Sequence, residues 1–149
     1  MNMYEQNIYK TARLKSGKTQ EAAAEALGIS VESLKAYERY ARIPPSPVVD
    51  GMCIIYDAIY LAYQHNRISS GDIKVVPEIE PLSLERATIA LIRRVLAFAD
   101  KHRDRDLMAI AEDGVIDEDE RPLFDEIMAE LEEIRKASIE VRISQEAKP

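Results

Sequence analysis

The sequence predicts an all-α protein, on three observations. Among 149 residues there are 5 Gly, 2 Phe and no Trp, and the chain is rich in Ala, Glu, Leu and Ile, a bias towards helix formers. Apolar residues recur at steps of three and four. Capping residues and glycines punctuate these runs where helix ends belong. Hydrophobic residues at 46% and charged residues at 32% exclude both a membrane protein and a disordered chain. The length suits one compact domain or two very small ones, which excludes a large multi-domain enzyme.

From Tyr4 to Ser16, the apolar positions Ile8, Ala12 and Leu14 fit a short amphipathic helix that ends at Ser16 and Gly17. Thr19 is placed to accept a backbone N–H as an N-cap, Gln20 to Leu27 is nearly pure helix former, and Gly28 supplies the left-handed turn. Ser30 then caps Val31 to Tyr40, in which Leu34 and Tyr37 point inward while Val31, Glu32, Lys35 and Ala36 face out. Two short helices about one tight glycine turn make a helix-turn-helix. After Pro44, Pro45 and Pro47, Val48 to Gln64 reads as one long helix or two short ones broken near Gly51, with Met52, Ile55, Ile59 and Tyr63 along one stripe.

These four to five helices form an expected N-terminal domain at 1–66. Arg67 to Pro81, with Ser69, Ser70, Gly71, Pro77 and Pro81, reads as a linker. Beyond it, 82–146 holds two heptad-like seams, Leu84, Ala87, Leu91, Val95, Phe98, His102 and Phe124, Ile127, Leu131, Ile134, Ser138, Val141. Asp113-Gly114 and then Asp117 supply a glycine turn and an N-cap carboxylate between them, so an antiparallel two-helix hairpin is expected. A two-helix hairpin has too little core to stand alone. It must pack on the N-terminal half or on its copy in another subunit. Charge divides the same way: residues 1–70 hold 8 basic and 7 acidic side chains, net +1, and residues 71–149 hold 12 and 20, net −8.

Leu14, Thr19-Gln20, Ala23-Ala24, Leu27-Gly28-Ile29-Ser30, Leu34, Tyr37-Glu38 and Ile43-Pro44 resemble the phage-repressor type of helix-turn-helix, the lambda-repressor-like or XRE family, over residues 8–62. The resemblance implies a sequence-specific DNA-binding transcriptional regulator. It implies that the helix at 31–40 enters the major groove of double-stranded DNA, with Val31, Glu32, Ser33, Lys35 and Ala36 facing the bases. Gln20 matches the family's phosphate-contacting glutamine at a helix N-terminus, and Lys18, Arg39 and Arg42 lie near enough in sequence to bind phosphates as well. Arg13 and Glu38 match a partly buried structural ion pair. Two features depart from the family pattern. Tyr40 replaces the glycine that commonly follows the third helix, so the helix is expected to run on and shift the loop carrying Arg42. Glu32 puts a carboxylate where the groove is negative, tolerable if it accepts from a cytosine amine or pairs with Lys35.

Residues 10–42 hold 7 basic and 4 acidic side chains, net +3, modest for affinity drawn from phosphates. A homodimer or higher homo-oligomer through the C-terminal helices is therefore expected, so that two copies read a palindromic site about 34 Å in repeat. The alternative is a helix-turn-helix module diverted to protein binding.

Other chemistry finds little footing. The single Cys53 cannot form an internal disulfide and sits in an apolar run as a small hydrophobe. Asp113, Gly114, Ile116, Asp117 and Glu120 echo half an EF-hand loop, but the first and third ligand positions would be Ala109 and Ala111. Arg103 to Asp106 reads as a solvated stretch. His65 and His102 have no Cys or second His at metal spacing. No metal, cofactor or enzymatic site is expected. Met1 to Lys10 lacks a charged start followed by an apolar run, and Val48 to Tyr63 is too short to span a bilayer, so the expected home is the cytoplasm, away from membranes.

Overall fold

In the computed structural model, residues 6–71 and 76–144 are described, and among them there is no strand. Tyr4, where the first helix is expected to start, residues 72–75 of the expected linker, and residues 145–146 at the expected end of the hairpin lie outside the described residues. The chain divides into two compact units, Met1–Val76 and Pro77–Pro149.

The first unit holds α1 (Ile8–Lys15), α2 (Gln20–Leu27), α3 (Val31–Glu38), α4 (Ser46–Tyr56) and α5 (Ile59–Ser69). Side-chain caps set three of the starts. Asn7 accepts from the backbone N–H of Lys10, Thr19 from that of Ala22 and Ser30 from that of Ser33, each satisfying an orphan donor of a first turn. α2 stops as its sequence predicts: Gly28 takes φ 65, with Ile29 N donating to Ala24 O and Gly28 N to Glu25 O, the paired bonds of a Schellman motif.

α3 does not run on through Tyr40, contrary to expectation. Tyr40 itself takes φ 55, and Ala41 N donates to Ala36 O at 2.9 Å while Tyr40 N donates to Tyr37 O at 3.1 Å, the same motif without a glycine. A tyrosine in this left-handed region costs about 1 kcal/mol, and its side chain supplies the offset. The Tyr40 hydroxyl accepts from Ile8 N at 3.0 Å, and its ring meets Tyr9 edge-on at 6.0 Å. Tyr40→Phe keeps the strain and loses the bond to α1, so it is expected to lower stability by about 1 kcal/mol in urea unfolding.

The break in the fourth helical stretch also falls elsewhere than predicted. Gly51 lies inside α4, and the turn is at Asp57, with φ 52. Asp57 tolerates the left-handed region better than most residues, whereas Gly51 admits the side chain of Leu27: a Cβ there would lie 2.9 Å from Leu27 Cδ2. Because the helix breaks between them, Met52 is buried while Ile59 is exposed, and the expected single stripe does not form.

Tyr9, Ala12, Ala23, Ala24, Leu34, Tyr37, Val49, Met52, Tyr56 and Leu61 make the core of this unit. At its edge the Tyr9 hydroxyl and His65 Nδ1 share a hydrogen bond of 2.9 Å. Burial holds His65 below its ordinary 6.5, with Asp50 opposing. The unfolded imidazole takes up a proton through 6.5 and the folded one resists, so stability is full above 6.5 and falls as the pH drops below it. His65→Gln is expected to flatten that slope in unfolding curves taken from pH 7.5 to 5.

The second unit holds α6 (Leu84–Asp100), α7 (Arg103–Ile110) and α8 (Arg121–Ile143), so the expected two-helix hairpin carries a third, short helix. α6 packs on α8, and α7 on both. Of the stretch Arg103 to Asp106, expected to be solvated, Asp104 and Arg105 are exposed, but Arg103 is not. Arg103 is buried and donates to Glu126, to Glu130 at 3.0 Å and to Asp106 at 3.3 Å. Glu130 also accepts from Lys101 at 2.8 Å, and Lys101 and then Arg103 hold its carboxyl below the usual range. These charges fasten the start of α7 to α8, after a sharp turn at His102, φ 56. The turn just before α8 is closed reciprocally, Asp117 accepting from Glu120 N and Glu120 from Asp117 N. Ala87 and Ile127 are buried with Leu91 and Phe98 half-buried, but Leu84, Val95 and His102, expected in the seam of α6, are exposed.

Candidate nucleic-acid interface

One ion pair fixes how α3 is presented. Arg13, on the inner face of α1, donates through Nε to Glu38 Oε1 at 2.5 Å and through Nη2 to Glu38 Oε2 at 3.0 Å. This fork-to-fork geometry is the strongest an arginine and a carboxylate make. The third guanidinium nitrogen, Nη1, donates to Lys18 O at 2.8 Å, and Glu38 Oε2 accepts a further bond from Gln20 Nε2 at 2.8 Å. The side chains of Arg13 and Glu38 keep only 7% and 2% of their exposure. The hydrogen bonds to Glu38 hold the Arg13 guanidinium more firmly protonated than usual, against the cost of burial. The pair therefore joins α1, the turn before α2, the first residue of α2 and the last of α3.

A second tie was not legible in the sequence. Asn7 caps α1 through its oxygen and donates through Nδ2 to Tyr37 O at 2.8 Å, so the start of α1 and the end of α3 are closed on each other together with Tyr40. The one available signal was an Asn immediately before the apolar run at Ile8. Tyr56 completes the surroundings of the pair: burial, then the Glu38 charge, pushes its hydroxyl up to about 12, and that hydroxyl is buried without a hydrogen-bond partner among the described residues.

Held in this way, α3 leaves Glu32 and Arg39 exposed and Ser33, Lys35 and Ala36 partly so. Val31 differs from the expectation: it is half-buried and packs against the core, because it lies one turn before the buried Leu34 on the same side of α3. Lys35 Nζ lies 3.3 Å from Glu32 Oε1, one turn along the helix. Arg42 folds back onto α3, donating through Nη2 to Ser33 Oγ at 3.1 Å with its guanidinium carbon 5.5 Å from the centre of the Tyr37 ring. Ser33 Oγ also contacts Ser30 Oγ at 3.0 Å. Ser33, Arg42, Glu32 and Lys35 thus share one continuous polar surface on α3 and its following loop. Gln20 and Lys18 belong to the opposite end of the Arg13–Glu38 network, where the Gln20 amide is already engaged by Glu38. Among the described residues no group of His, Cys, Asp and Glu is arranged to hold a metal ion, and no helix is long and apolar enough to cross a membrane.

Residues 10–59 match the family model described as helix-turn-helix, a span of about a third of the chain that runs from within α1 to the first residue of α5. No curated protein and no solved structure matches the chain. Residues 10–59 are a helix-turn-helix segment, consistent with the lambda-repressor-like resemblance of the sequence.

Proposed function

We propose that the protein is a sequence-specific transcriptional regulator that binds double-stranded DNA as a dimer, with α3 in the major groove of each half-site. The observation that carries this reading is the Arg13–Glu38–Gln20 network, which ties the hidden face of α3 to two other helices and leaves its polar face outward on a rigid support. Lys35 and Glu32 contact base edges, and Ser33 and Ala36 line the same face. Arg39, Arg42 and Lys18 engage phosphates, which set register without carrying sequence information. Gln20 serves a double purpose, its Nε2 holding Glu38 and its helix N-terminus favouring a phosphate oxygen. The modest local charge makes a single module weak, and two modules on one face of the duplex supply the rest.

A second reading has specific support. Lys35 is paired with a carboxylate and the Gln20 amide is occupied, which suits a module turned to binding protein. Selection from a random duplex pool separates the two. A regulator enriches a site with two related half-sites, and binding falls steeply with salt. A protein-binding module enriches nothing and binds every duplex feebly.

A further inference from the structure

The exposed face of α6 is the strongest unexplained feature of the molecule. Ile89, Ile92 and Leu96 are 59%, 50% and 57% exposed, and Val95 and Leu84 join them. At 3.6 residues per turn Ile89, Ile92 and Leu96 lie on the side of the helix opposite Ala87, Leu91 and Phe98, whereas Leu84 and Val95 lie at the margin of the inward face. A helix that is apolar on both sides belongs in an interior, so α6 has a second face to bury.

We propose that this face pairs with the same face of a second copy, the two α6 helices antiparallel about a twofold axis beside Arg93. Resting on the dimeric reading above, the proposal adds which surface makes the dimer. Charge complementarity selects a second copy as the occupant. Arg86, Arg93 and Asp100 recur at heptad spacing along one flank of the stripe, and an antiparallel twofold brings Arg86 of each copy opposite Asp100 of the other. Ile89 of one copy then lies beside Leu96 of the other. Arg93 meets its own copy, and its long stem carries the guanidinium out to water. The charge distribution favours the same face. α6 carries three Arg against one Glu and one Asp, net +1, whereas the turn 112–120 carries six acidic residues and no basic one. Pairing through α6 buries the least acidic surface of an acidic unit and leaves the like-charged turns apart.

The test is light scattering and sedimentation of the full chain up to submillimolar concentration, with helicity followed by circular dichroism. Wild type is expected to dimerise. Ile92→Glu is expected to weaken the dimer at least ~100-fold with unchanged helicity, and Met108→Glu, at an exposed apolar position of α7, to leave it intact. Arg86→Asp or Asp100→Arg alone should weaken it about three- to tenfold, and the double exchange should restore it. A chain that stays monomeric at every concentration and on its selected duplex overturns the dimeric reading together with this one. A dimer that survives Ile92→Glu overturns the α6 face alone, and so does loss of folding in Ile92→Glu, which would mean that the chain itself covers this stripe.

Discussion

Glu38→Ala is expected to cost the N-terminal unit about 3 to 5 kcal/mol, the largest effect of any single change outside the apolar core. The carboxylate accepts from Arg13 Nε, Arg13 Nη2 and Gln20 Nε2, and its removal leaves a guanidinium 7% exposed with the Lys18 carbonyl as its remaining acceptor in the network. The cost is that of an uncompensated buried charge, not of the pair as such. Replacing both partners by apolar residues of similar volume, Arg13→Met with Glu38→Leu, is therefore expected to be much milder than either single change. A double-mutant cycle by urea unfolding measures the difference. DNA affinity should fall with Glu38→Ala even where the chain remains folded, because α3 loses its anchor to α1 and α2.

The second large effect concerns binding. Lys35→Glu is expected to lower affinity for a selected duplex about 100-fold or more while leaving the circular dichroism spectrum unchanged. Lys35 is partly exposed and touches Glu32 at 3.3 Å, so the substitution removes a cation from the groove surface and leaves two carboxylates one turn apart. Arg39→Ala should behave differently. Its loss weakens all sequences alike and reduces the slope of log affinity against log salt by about 1.

The N-terminal helices were legible because each carries its own punctuation: Thr19, Gly28 and Ser30 each do locally what their chemistry allows, and Leu34 and Tyr37 fall on one face. Where local chemistry was overridden by tertiary contacts, reading failed. Tyr40 has no intrinsic reason to adopt a left-handed conformation, and only its reach to Ile8 and Tyr9 explains the end of α3. Gly51 resembles a breaker in sequence, yet it serves packing against Leu27. Arg103 looked solvated because its partners Glu126 and Glu130 lie more than twenty residues away. In α6, apolar residues occupy both sides of the helix, so periodicity could not choose the inward face, and the expected seam included the exposed Leu84 and Val95. For the polar face of α3, the sequence supplied the residues but not their pairing with one another: that Arg42 returns to Ser33 depends on the turn at Tyr40.

The most direct measurement is the base preference of the wild type and of Lys35→Ala, each selected from the same random duplex pool. If α3 reads the major groove, the wild type yields a defined site, and Lys35→Ala relaxes preference at one position of each half-site while the others persist. A wild type that enriches no site, or a variant whose preferences match the wild type at every position, contradicts the assignment of α3 as the reading helix.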